Sequence, residues 1–308
     1  MRFIHFICLL IGIHSAFAQS KPEPVNEKYL GQFPNIRDFT LAQDEAYFSV
    51  QSPLGEQSVI LCMKKKGDKW SKPEIAAFSG KYQDLEPFMT PDGLRLYFAS
   101  NRPRGDIGRK DFDIWMVTRA TPDDEWSAPK NLGEPVNSSF NEFYPVFTTS
   151  NNLYFTTDAR GSEGGDDIVV CEWDNGKYKQ PVSLGPSINS AGYEFNAFVA
   201  PDESYIIFTG YNREDSYGSG DLYISFKSDD NWAKPINLGD NINSEHMDYC
   251  PFILANTLYF TSRRKNLQIP ENGFTTLKEL INEFNQYDNG QSRIFRIDAF
   301  DPLDYQVK

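Results

Sequence analysis

The chain is poor in histidine, cysteine and basic charge, and beyond its first residues it has no long apolar run. Three histidines occur in 308 residues, and only His246 lies beyond residue 18. That count excludes a multi-histidine metal site and leaves a histidine-based triad without support. His246 itself reads as a solvated loop residue. Lys and Arg number 30 against 43 Asp and Glu, a formal net charge of −13. Such a surface repels phosphate backbones, so no nucleic-acid partner is expected. The loop Gly161-Ser162-Glu163-Gly164-Gly165 is too acidic to cradle a phosphate. No segment reaches the roughly 20 apolar residues that cross a bilayer. Cys62, Cys171 and Cys250 lie in apolar strand-like runs. Their odd number and wide spacing point to buried, unpaired thiols rather than a disulfide framework or a zinc site.

The start of the chain is a separate device. Arg2 precedes an apolar run from Phe3 to Ile13, and Ala16-Phe17-Ala18 has the small-x-small form of a cleavage site. Residues 1–18 are expected to be a signal peptide cut after Ala18. Residues 19–308 are then periplasmic or secreted, with Cys8 lost in the cut.

Aromatic residues are abundant, at 15% of positions, and they recur in order. The strand-like segments Glu45–Ser49, Arg95–Ala99, Asn152–Thr156, Tyr205–Thr209 and Thr257–Thr261 carry marker phenylalanines Phe48, Phe98, Phe155, Phe208 and Phe260, spaced by 50, 57, 53 and 52 residues. Trp70-x-x-Pro73, Trp126-x-x-Pro129, Tyr178-x-x-Pro181 and Trp232-x-x-Pro235 follow in phase, as do Leu-Gly pairs at 132, 184 and 238, each trailed by Asn-Ser at 137, 189 and 243. Each unit reads as four strands, the outermost marked by a proline that cannot donate a ladder hydrogen bond. A four-stranded unit repeating at about 50 residues is a β-propeller blade. The fold expected is all-β: a single propeller of five four-stranded blades. The segment Val25 to Phe33, with Leu30-Gly31 in the outer-strand phase, supplies an N-terminal strand that completes the last blade. A sixth, degenerate blade stays open.

Glu86-Pro87-Phe88-Met89-Thr90-Pro91-Asp92-Gly93, then Leu96 to Arg102, then Asp113-Ile114-Trp115, resembles the WD40-like PD40 repeat of TolB-type propellers. Blades three and four match it well, whereas blade five lacks the Pro-Asp turn. The resemblance implies an envelope-associated interaction module without chemistry of its own, a monomer holding an envelope protein or peptide.

Two sets of repeated charges define the candidate site. Asp84, Glu142, Glu194 and Asp248 precede the first strand of four blades, and Arg102, Arg160, Arg213 and Arg263 (or Arg264) end the second. Both sets belong on one face around the channel. Either arginine and carboxylate pair between neighbouring blades, or the arginines pair with Asp113, Asp167 and Asp221, or the two sets form a polar funnel for a cation, sugar or peptide terminus. Calcium is the one cation the acids invite, but the loops 106–113 and 161–167 lack calcium-loop spacing and read as solvated acids. No cofactor is expected. The rival function is a glycan-acting hydrolase or lectin using acids at the channel mouth, although a glycosidase needs two carboxyls in unlike surroundings and none of the four is singled out. Finally, residues 265–291 interrupt the last blade. Phe274, Leu277, Ile281 and Phe284 have helical spacing behind a Thr276/Glu279 capping box. This helix either docks a partner or packs its stripe over blade five.

Overall fold

The computed structural model describes residues 21–104, 111–159, 163–229 and 231–306. The leader-like segment 1–18 and Arg160 lie outside them. Five antiparallel sheets follow one another along the chain, each beginning with its innermost strand: Asn35–Ala42, Asp84–Met89, Glu142–Phe147, Tyr193–Val199 and Asp248–Leu254. The second strands, Glu45–Gln51, Arg95–Ser100, Leu153–Thr157, Tyr205–Tyr211 and Thr257–Ser262, carry the marker phenylalanines, all buried between blades. The expected single five-bladed propeller is thus formed, with no sixth blade among the described residues. An N-terminal strand closes the ring as expected, but it is Glu23–Pro24; the segment 25–33 expected to supply it turns into a short helix, Glu27–Leu30, and Leu30-Gly31 is not part of a strand. Glu23–Pro24 pairs with Arg296 and Phe295 of the last blade's third strand, and the Val25 amide donates to the Ile294 carbonyl at 3.0 Å.

The proline marker breaks the outer strand in two. Trp70 and Trp232 pair with the end of the third strand in their blades, the chain turns at the proline, and a second two-residue piece, Glu74–Ile75 or Ile236–Asn237, returns to the same strand. A residue without an N–H fits the gap between the pieces.

The Leu-Gly…Asn-Ser marker has an equally local cause. Gly133, Gly185 and Gly239 adopt left-handed φ of 70°, 79° and 84°, reversing the chain. The buried asparagines Asn137, Asn189 and Asn243 then lie along the third strand. Each Oδ1 accepts from the amide of Ile114, Ile168 or Leu222, and each Nδ2 donates to the carbonyl of the same residue. The side chain thus replaces a missing stretch of outer strand. Asn189→Ala leaves the buried Ile168 amide without its acceptor, while the Ile168 carbonyl keeps the Leu184 amide, and should cost about 2 kcal/mol of stability. A lowered urea midpoint at unchanged slope would register this.

The inserted helix forms where expected, over Leu277–Phe284, with its Thr276–Glu279 capping box closed. Its stripe does not pack over blade five. Leu277, Ile281 and Phe284 are 70%, 48% and 55% exposed, and the Phe274 ring meets that of Phe284 edge-on. The insertion is anchored instead by buried Tyr287, whose hydroxyl donates to the Ile294 carbonyl at 3.0 Å. All three cysteines are free, Cys171 and Cys250 buried and Cys62 half-buried.

Candidate functional site

The repeated charges are inside the blades. Asp84, Glu142, Glu194 and Asp248 are fully buried. Each accepts from a serine just before its blade: Ser79, Ser138, Ser190 and Ser244. Arg102 pairs with Asp84 at 2.6 Å and Arg213 with Glu194 at 2.9 Å. Asp248 takes Arg264, at 2.9 Å, while Arg263 is exposed, donates to Ser292 and lies over the Tyr249 ring. These pairs join the two innermost strands of one blade, not neighbouring blades. Arg104, absent from the expected set, takes Asp113. Asp113, Asp167 and Asp221 are not solvated but buried, the last two capped by backbone amides of 163–164 and 217–218.

A second ring, two residues further along each inner strand, reaches the axis. Asp38, Glu86, Tyr144, Asn196 and Cys250 occupy one repeat position, all with left-handed φ between 51° and 62°, and at each of them the pairing with the second strand slips. A β-bulge re-aims a side chain, and non-glycine residues in this conformation cost about 1–3 kcal/mol each unless their surroundings hold them. Neighbouring blades do hold them. The Glu86 amide donates to Asp38 Oδ2 at 3.2 Å and the Tyr144 amide to Glu86 Oε2 at 2.8 Å, so each carboxylate grips the next blade.

Unlike the outer ring, this one has no two residues alike. Its single cation is Arg37, which stands one position earlier, where other blades carry Leu85, Phe143, Phe195 and Tyr249. Arg37 bridges Asp38 at 2.6 Å and Glu86 at 2.7 Å and stacks over Tyr249. Burial opposes the guanidinium charge, and Asp38 and Glu86 outweigh it, holding its pKa well above the ordinary value. Asn196 Nδ2 donates to Glu86 Oε1 at 3.1 Å. The Cys250 thiol donates to Asp38 Oδ1 at 2.8 Å, and burial with the Asp38 charge pushes its pKa well up, so it serves as a neutral donor. Burial is also the largest influence on Glu86. Reinforced by Asp38 and only partly offset by Arg37, it raises the Glu86 carboxyl to about 7.

Beyond the ring the axis opens at the hairpins between first and second strands. A funnel of about 690 Å³ is walled by Leu41, Phe147, Val199, Ile253 and Leu254, among others. It shares Phe88, Phe198 and Phe252 with a pinch of about 10 Å³, in whose wall Glu86 and Tyr144 stand. That is room for about one water.

Solved structures share this architecture. The catalytic domain of a GH62 alpha-L-arabinofuranosidase from Coprinopsis cinerea is 9% identical, with 91% of this chain and 97% of that chain covered and a TM-score of 0.50. A GH43 endo-arabinanase from Bacillus licheniformis is 12% identical over 86% of this chain and 94% of that chain, with a TM-score of 0.51. At these identities the likeness is one of fold. No protein-family model matches the chain, and no curated protein matches it in sequence. The likeness to PD40 repeats therefore rests on the blade residues alone. The expectation of a propeller without chemistry is overturned, since propellers that match it along almost their whole length are glycoside hydrolases.

Proposed function

We propose that the chain is a glycan-acting hydrolase working outside the cytoplasm, with Glu86 as proton donor and Asp38 as the second carboxylate. The observation that carries this reading is one buried axial carboxyl raised to about 7 and tied through a shared arginine to a second carboxyl. Glycoside cleavage asks for that asymmetry: one group neutral at working pH to protonate the leaving oxygen, the other charged to assist at the anomeric carbon or to activate water. Asp38, which accepts from Arg37 and from the Cys250 thiol, takes the second role. The PD40-like blades would be the scaffold and the leader-like start the export signal.

The solved neighbours named above act on arabinose-containing glycans, which sets the first substrates to try. Wild type and Glu86→Gln are to be incubated with arabinan, arabinoxylan and aryl arabinosides, and released reducing ends measured. Release by wild type alone supports the reading. No release by folded wild type, or equal release by the variant, overturns it.

A further inference from the structure

The funnel is lined differently from a sugar site. Sugars present hydroxyls in every direction and need convergent polar partners. Here Leu41, Met89, Phe147, Val199, Ile253 and Leu254 form the wall. Much of the polar rim is committed within its own turn or to the hairpin of the neighbouring blade. Gln43 donates to the Pro91 carbonyl, Thr90 to Asp92, Thr148 to Glu203, and Thr149 to the Pro201 carbonyl. Two ionised side chains line the funnel, Asp92 and Arg95. Asp92 accepts from the Thr90 hydroxyl at 2.6 Å and the Leu94 amide at 3.0 Å. Arg95 forms no ion pair among the described residues, whereas Arg102, Arg104 and Arg119 of its blade each have a carboxylate; its side chain hydrogen-bonds Tyr97 and its charge acts on Asp92, which leaves further guanidinium donors for a ligand. A half-buried guanidinium at the lip of an apolar cavity is complementary to one kind of molecule, an apolar body with an anionic end.

We infer that the funnel binds an amphiphilic monocarboxylate, its tail among Phe147, Val199, Phe252 and Ile253 and its carboxylate on Arg95. Each methylene buried there adds to the affinity of either ligand, and the carboxylate adds a charge-assisted pair that an alcohol of equal length cannot make. The protein's net charge of −13 makes capture of an anion depend on this local cation. The inference goes beyond the hydrolase reading and does not need it, because binding is read as heat rather than turnover.

The test is calorimetric titration of the full chain with octanoate and with 1-octanol. Wild type should bind octanoate about tenfold more tightly than octanol, as expected for one charge-assisted pair. Arg95→Gln should bring octanoate down to the octanol level, and Arg95→Lys should retain most of the difference. Leu254→Trp, at an exposed position of the funnel wall, fills the funnel and should lose both ligands while circular dichroism stays unchanged. Equal affinity for the two ligands in wild type, undiminished octanoate binding in Arg95→Gln or in folded Leu254→Trp, or no binding by folded wild type would each overturn the inference. Loss of hydrolysis in Glu86→Gln with octanoate binding intact separates this site from the catalytic one.

Discussion

Glu86→Gln is expected to lower glycan hydrolysis by about 10²–10⁴, the usual contribution of a positioned general acid, while the propeller stays folded. The wild-type rate should fall as pH rises through about 7, because the proton that Glu86 donates is then lost. Stability gives an independent readout of the same carboxyl. Its pKa is raised on folding from an ordinary 4.5 to about 7, so the folded chain binds that proton more tightly than the unfolded one. The contribution is complete below about pH 4.5 and disappears as pH climbs through 7. Glutamine keeps the neutral state at every pH. The variant should therefore match or exceed the wild-type melting temperature at pH 8 and lack the decline between pH 5 and 8. A variant that unfolds, or that keeps both its rate and the wild-type pH limb, would remove Glu86 from the chemistry.

Arg37→Met should be the most damaging single change at the axis. It leaves Asp38 and Glu86 facing each other in a dry setting without their shared cation, and removing one partner of a buried pair typically costs about 3–5 kcal/mol. The loss should be larger at pH 8 than at pH 5, where Glu86 takes up a proton and relieves the repulsion. Adding Glu86→Gln to Arg37→Met should restore part of the stability at pH 8. Urea unfolding of the three variants at both pH values measures the coupling. If the loss is equal at the two pH values, the charge argument is wrong and Arg37 acts by packing against Tyr249.

The blades were legible because every blade solves the same problem. Phe48, Phe98, Phe155, Phe208 and Phe260 fill equivalent gaps between sheets, and Asn137, Asn189 and Asn243 replace the same missing hydrogen bonds, so the residues recur and can be counted. The same logic misdirected the choice of site. Asp84, Glu194 and Asp248 recur because each must satisfy a serine and an arginine within its own blade. The axis is where repetition stops: Asp38, Glu86, Tyr144, Asn196 and Cys250 share a backbone conformation, but only two of the five carry a carboxyl. Left-handed bulges at non-glycine residues leave no mark in strand periodicity, so alternation alone could not place them. One signal was available. Blade one has buried Ile36 where its neighbours have an acid, with Arg37 beside it, and the blade that breaks its own pattern is the one that brings the axial cation.

The seam between Glu23–Pro24 and Arg293–Asp298 sets an order on assembly. The final sheet borrows its rim from the opposite end of the polypeptide, so the circle stays open until the late-made segment has come back to the early-made one. Until then blade five has an uncovered border with free amides, an invitation to strand exchange between molecules. A tag or fusion partner placed directly before residue 21 would crowd that meeting point, whereas one after Tyr305 would leave the two joined strands untouched.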